Sequence, residues 1–170
     1  VAVGDIPTIT AIYDYHVTYG TASWELTPPS EAEMQRRMGS MLGQGYPYLV
    51  AELDGQVVGY SYVSSYRPRP GYRFTVENSV YVDTAYQGRG VGRLLLTGLI
   101  QACSQRPYRQ MVAVIGDSQN QASLALHRSL GFIQVGLLSN IGYKFGRWLD
   151  SVLMQRSLGP GETSLPQDEE

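Results

Sequence analysis

Glu77-Asn78-Ser79-Val80-Tyr81-Val82-Asp83-Thr84-Ala85-Tyr86-Gln87-Gly88-Arg89-Gly90-Val91-Gly92-Arg93 decides how the rest of the chain is read. Val80, Tyr81 and Val82 are β-branched and aromatic, as a strand prefers. Asp83 and Thr84 begin a polar break. Three glycines then lead into Leu94-Leu95-Leu96-Thr97-Gly98-Leu99-Ile100, an apolar pattern with helical spacing. A strand, a glycine-rich turn and a helix in that order make a phosphate site. The first helical amides lack partners in their own helix, and the helix dipole favours an anion there. Glycines at 88, 90 and 92 remove the Cβ atoms that would hold a phosphate away from the main chain. A P-loop would need Gly-Lys-Ser or Gly-Lys-Thr at its end, whereas Arg93 is followed by Leu94. A dinucleotide fingerprint counted from Gly88 would need a third glycine where Arg93 stands. What fits is Gln-x-x-Gly-x-Gly, at Gln87, Gly90 and Gly92. Taken alone, the same residues also suit a turn that merely joins a strand to a helix.

The chain of 170 residues suits one domain with room for a substantial core. Hydrophobic residues make up 43% and charged residues 16%, a globular rather than a disordered balance. A formal net charge of −2, with no basic block, argues against a nucleic-acid or anionic-membrane partner. No run approaches the roughly 18 apolar residues of a membrane span. No charged-then-apolar leader of the secretory kind is seen either, so a cytoplasmic protein is expected. The single cysteine, Cys103, excludes an internal disulfide and reads as a buried structural thiol. His16 and His127 are too far apart to suggest zinc by spacing, and no metal is expected.

In chain order, Val1–Gly4 suits the remnant of an edge strand. Asp5 then caps a helix that carries Pro7 in its first turn and runs to Gly20. The Thr21–Glu25 connection either walls a pocket or simply packs around Trp24. Ser30 and Glu33 form a capping box for a helix to about Gly43. Strands over 46–53 and 56–64 join at Asp54-Gly55, a hairpin signal. A proline-rich crossing, Arg67-Pro68-Arg69-Pro70-Gly71, precedes a strand over 73–82. After the central helix come a buried strand over 110–115 and a helix over 121–130 that stops at Gly131. Strands over 132–138 and 148–157 follow, around a Gly142/Gly146 loop. The expected fold is α/β (α+β), a mixed sheet with helices on both faces in a single domain over 1–158. The Gly-, Pro- and acid-rich tail over 159–170 is expected to be disordered.

A second stretch, Asn120-Gln121-Ala122-Ser123-Leu124-Ala125-Leu126-His127-Arg128-Ser129-Leu130-Gly131-Phe132, narrows the reading. The pair of motifs, with this element order, resembles the GNAT superfamily of N-acetyltransferases. Gln87-x-x-Gly90-x-Gly92 is similar to that family's pyrophosphate signature. Asn120, Ser123, Leu126, Gly131 and Phe132 match its second motif. Two positions depart from the pattern: His127 stands where a tyrosine is frequent, and Ser129, beside Arg128, stands where a lysine is usual. The histidine, with segments 71–77, 112–116, 118–123 and 144–150, resembles the phosphinothricin acetyltransferases and their relatives acting on methionine sulfone and methionine sulfoximine. The resemblance spans roughly residues 4–157 and implies the GNAT fold, with a mostly antiparallel central sheet.

The resemblance also implies roles. Gln87, Gly88, Gly90, Val91 and Gly92 would hold the pyrophosphate of acetyl-CoA, with charge from Arg89 or Arg93; the alternative for Arg89 is a solvated side chain. The backbone of Val80, Tyr81 and Val82 would face the pantetheine arm. Asn120 and Ser123 would contact the coenzyme from the second helix, with Asn120 also its N-cap. Glu77, a carboxylate entering an apolar strand, is expected as the general base or the group that positions a water. His127 is expected either as the acid toward the thiolate or as part of a proton relay; its bland alternative is a packing residue. Arg73, four residues before Glu77, would share a strand face with it and hold a substrate carboxylate bidentately, with Tyr72 and Thr75 nearby. The alternatives are a GNAT enzyme for another amine (a polyamine, an antibiotic or a protein N-terminus) and a silent acyl-CoA-binding sensor. A homodimer through the aromatic-rich C-terminal strands is implied by the resemblance alone.

Overall fold

The structure, a computed structural model, describes residues 1–166. Four helices form: α1 over Ile6–Tyr19, α2 over Glu31–Gly43, α3 over Val91–Ser104 and α4 over Gln121–Ser129. Six strands form: β1 over Tyr48–Leu53, β2 over Gln56–Ser65, β3 over Thr75–Val82, β4 over Gln110–Gly116, β5 over Ile133–Lys144 and β6 over Arg147–Ser157. They make one sheet in the order β1-β2-β3-β4-β6-β5. Every neighbouring pair is antiparallel except β3 with β4.

That parallel pair decides where the site lies. It is in register only over Thr75–Glu77 with Gln110–Val112. Beyond it, Asn78–Val82 and Ala113–Gly116 run on as strands without pairing to each other, which opens a gap in mid-sheet. α3 covers one face, where Leu96, Leu99 and Cys103 are buried with Val63, Val76, Met111 and Met154. α1 and α2 cover the other, where Ile9, Val17, Met34 and Met38 pack on Tyr48, Tyr60 and Tyr81. Full burial of a leucine such as Leu96 contributes about 1.5–3 kcal/mol, so the sheet is clamped from both faces around its own gap.

Several boundaries differ from the sequence reading. Val3–Asp5 is a 3-10 turn, not a strand remnant. Asp5 has helical dihedrals, not the extended ones of an N-cap, and its carboxylate accepts from the Ala2 amide at 2.7 Å instead of capping α1. Ser30 does cap α2, its hydroxyl accepting from the Glu33 amide. β3 starts at Thr75, because Pro70–Tyr72 turn as a 3-10 helix and Arg73 keeps αR dihedrals. β5 runs six residues past Leu138: Asn140 adopts a positive φ of 54°, the register shifts, and the strand resumes. Gly142 is therefore inside β5. The turn itself is Phe145-Gly146, with φ of 53° and 72°, the double left-handed geometry that suits a tight hairpin. Of the tail expected to be disordered, residues 159–164 form turns and bends, and the Arg109 guanidinium donates to Gly161, Ser164 and Leu165. Residues 167–170 of that tail lie outside the described residues.

Candidate active site

A cavity of about 880 Å³ occupies the gap between β3 and β4 and extends to the starts of α3 and α4. Its phosphate end follows from local chain geometry. Gly90 is the N-cap of α3 at φ 81°, a conformation other residues rarely adopt, and no side chain caps the helix. The first amides of α3 are therefore left for a ligand. Gly92 serves differently: a Cβ there would lie 3.3 Å from Leu126, so glycine lets α3 approach α4. Gln87, Gly88, Gly90, Val91, Gly92 and Arg93 all line the cavity. Arg93 donates to the Ser129 hydroxyl at 3.0 Å. Arg89 is exposed, with its guanidinium over the Tyr86 ring at 5.2 Å, and is not part of the cavity wall.

The strand register sorts the next group. Thr75 and Asp83 hydrogen-bond toward β2, while the carbonyl of Phe74 accepts from the β4 side. Odd-numbered residues of β3 thus pair with β2, and the main-chain groups of Val80 and Val82 point into the gap. Those of Tyr81 do not, although its flank lines the cavity. The Val82 carbonyl accepts from Nε2–H of His16 on α1 at 2.9 Å, a contact the sequence did not suggest.

Asn120 caps α4, its Oδ1 accepting from the Ser123 amide at 3.2 Å, and both residues line the cavity. Four residues on, His127 is 4% exposed. Its Nδ1 lies 2.8 Å from the Ser123 carbonyl, which can only accept, so Nδ1 carries a proton. Its Nε2 lies 3.0 Å from Oδ1 of Asn78, whose amide nitrogen donates to the Val112 carbonyl. Both ring nitrogens therefore face protein oxygens, and a neutral ring has a hydrogen for only one. Burial works the other way and lowers the His127 pKa. The ring is braced between α4 and the point where β3 and β4 part.

Glu77 is half-buried on the opposite face of β3, in the cavity wall. Burial raises its pKa, and the positive charge of Arg67 opposes that rise. Glu77 shares its face of β3, by alternation, with Tyr81, which packs on α1, and the segment after α1 follows on that side of the sheet. Gly20, Thr21 and Ala22 line the cavity. Trp24 fits over Gly142 and Gly116: a Cβ on Gly142 would fall 2.5 Å from the indole ring, and one on Gly116 2.6 Å from its nitrogen. Ser23 and Glu25 are tied to the Tyr13 hydroxyl at 2.8 Å each, and Glu25 pairs with Arg37. Of the two expectations for the Thr21–Glu25 connection, a cavity wall and packing around Trp24, the segment meets both, with Gly116 and Gly142 leaving room for the ring. Tyr72, Arg73 and Thr75 are not in the cavity wall. Arg73 lies off the strand, its guanidinium over the Phe74 ring at 4.4 Å, so the shared strand face expected for Arg73 and Glu77 does not exist. Among the described residues, no group of three His, Cys, Asp or Glu could hold a metal ion. No helix among them is long and apolar enough to cross a membrane.

A mixed sheet parted at its one parallel pair, with a glycine-capped helix start at the gap, is the architecture of an acetyltransferase. The chain belongs to the acetyltransferase (GNAT) family, whose model matches residues 9–132. It is 55% identical over 163 residues to a phosphinothricin N-acetyltransferase of Alcaligenes faecalis, covering 96% of this chain and 83% of that one. It is 45% identical over 159 residues to an L-methionine sulfoximine/L-methionine sulfone acetyltransferase of Pseudomonas aeruginosa, covering 93% and 92%. A crystal structure of a phosphinothricin acetyltransferase from Sinorhizobium meliloti in complex with acetyl-CoA superposes with a TM-score of 0.97 at 45% identity, covering 99% of this chain and 91% of that one.

Proposed function

We propose that this enzyme transfers the acetyl group of acetyl-CoA to the α-amino group of a small amino acid of the phosphinothricin, methionine sulfoximine or methionine sulfone kind. One observation carries the reading: Glu77, a half-buried carboxylate with a burial-raised pKa, shares a cavity with the uncapped start of α3. Acetyl-CoA supplies an activated acetyl thioester and a pyrophosphate handle. The 87–92 turn and the first amides of α3 fit that pyrophosphate, with Arg93 beside them. Val80 and Val82 offer main-chain partners to the extended arm, and Asn120 and Ser123 close on it from α4. Glu77 takes a proton from the substrate ammonium, directly or through a water. The freed lone pair then attacks the acetyl carbon, and the carbon–sulfur bond breaks. The departing sulfur needs a proton. His127 fits a relay better than direct donation, because both its nitrogens already face protein oxygens. Ser123 Oγ is 3.5 Å from Nδ1, and both residues line the cavity.

The substrate carboxylate calls for a guanidinium from the loop before β3. Arg73, with Tyr72 and Thr75 beside it, is one source. Arg67, like them outside the cavity wall and with its guanidinium over the Tyr66 ring at 5.2 Å, is another, its charge opposing the rise of the Glu77 pKa. A homodimer is part of the same proposal. Ile133, Val135, Leu137, Ile141, Tyr143 and Trp148 on the β5–β6 hairpin are all exposed, an apolar strip of the kind a second copy covers. We assign the enzyme to the cytoplasm, where its acyl donor is available.

Thiol release from acetyl-CoA tests the reading, with phosphinothricin, methionine sulfoximine, methionine sulfone, spermidine or no acceptor. Turnover with the amino acids and not with spermidine is expected. Turnover with spermidine alone removes the amino-acid pocket, and coenzyme binding without turnover on any amine makes the protein a sensor.

A further inference from the structure

Lys144 is the only lysine in the chain. It closes β5 and is 4% exposed. Its ammonium donates to three main-chain carbonyls, those of Val17 at 2.7 Å, Gly20 at 2.9 Å and Ser23 at 2.8 Å. An ammonium has three hydrogens, and all three are used. The Val17 carbonyl belongs to the last turn of α1, where carbonyls lack helical partners and the dipole favours a cation. Burial disfavours the charge, and the three converging oxygens offset it. A planar guanidinium would present its hydrogens as a fork, not as a tripod. That geometry explains why a chain otherwise furnished with arginine carries a lysine at this position.

The segment that Lys144 holds lines the cavity on the α1 side of the sheet, the face that Glu77 shares by alternation with Tyr81, which packs on Tyr13 of α1. Gly20, Thr21 and Ala22 line it, Trp24 sits on the Gly116 and Gly142 notches, and Ser23 bonds to Tyr13. All three hydrogens of the ammonium go to residues 17–23, none of them to the glycine turn, α3 or α4. We propose that Lys144 is the positioning residue of the acceptor wall: its ammonium fixes residues 17–25 to β5 and so sets the affinity for the amine substrate, not for the coenzyme. This rests on the reading that the Glu77 end of the cavity receives the amine.

Lys144→Met removes the tripod at similar length, and Lys144→Gln keeps two hydrogens. Steady-state kinetics on both variants should show the acceptor KM raised, by about tenfold or more for Met and less for Gln, as misplacement of a positioning element does. The acetyl-CoA KM should stay within about twofold of wild type. Amide hydrogen exchange should quicken over 17–25 and not in the central strands. An unchanged acceptor KM with unchanged exchange over 17–25 would overturn the proposal. So would both KM values rising together with faster exchange throughout the sheet, or failure of both variants to fold, since each marks a residue of general stability. Wild type is assayed in parallel. If it acetylates no amino acid, the substrate reading fails, and exchange over 17–25 still decides the role of Lys144.

Discussion

In its proposed role as base, Glu77 sets chemistry against stability. Its folded carboxyl titrates above the ordinary 4.5, chiefly from burial. The folded state therefore binds that proton more tightly than the unfolded chain does. The stability this lends is present below 4.5 and is lost as the pH rises through the folded value. At neutral pH the ionised group is a net cost to the fold. Glu77→Gln should accordingly lower kcat/KM by about 10²–10⁴-fold while the Tm at pH 7 holds or rises. Kinetics and calorimetry on one preparation check both; activity retained with a lower Tm would contradict the role. The acid limb of the wild-type kcat/KM profile should also lie above 4.5 and vanish in that variant. His127 has the opposite sign. Its pKa is lowered, so its contribution is present above the ordinary 6.5 and is lost as the pH falls through the folded value. Asn78→Asp would set a carboxylate against Nε2 and should raise the His127 pKa, a shift that side-chain NMR titration reads directly. An unmoved titration would show that Asn78 does not face the ring.

At the scale of elements, the glycine turn, β3 and α3 act as one unit. Gly90 holds a left-handed conformation at the N-cap, so Gly90→Ala should cost about 1–2 kcal/mol of stability. It should also raise the acetyl-CoA KM while leaving the acceptor KM near wild type, since the turn lies at the coenzyme end. Denaturant melts and kinetics check the pair; a variant that raises only the acceptor KM would show the turn misassigned. This unit was legible in the sequence because its signals are local: β-branched residues, then glycines, then helical periodicity. The same holds for the Ser30 cap and for the α4 motif that exposed His127. What escaped is contact across long separations. Asn78 meets His127 over 49 residues, and Lys144 meets the segment after α1 over 121–127. No periodicity marks such pairs. Arg73 and Glu77 lack a shared face for another reason: the Pro70–Tyr72 turn delays the strand start by two residues, so alternation does not extend to Arg73.

Across the whole molecule, the gap in the sheet and the hairpin at its edge answer two different needs. Parallel pairing over three residues keeps β3 and β4 joined at one end, and beyond it the two strands run on unpaired between the helical layers. The hairpin carries the apolar strip, with Tyr143 and Trp148 in edge contact at 5.2 Å. Replacing both by glutamate should convert a dimer to monomers in light scattering after size exclusion. A wild type that is monomeric at micromolar concentration would remove the dimer proposal.

A cavity that selects an amine bearing an α-carboxylate, as proposed, should separate a matched pair of acceptors. Methionine sulfone and its decarboxylated amine, 3-(methylsulfonyl)propylamine, differ only in that group. The kcat/KM should be about 100-fold higher for the amino acid, the effect of one charged hydrogen-bonded contact of roughly 3 kcal/mol. Equal rates, or a preference for the amine, would contradict it.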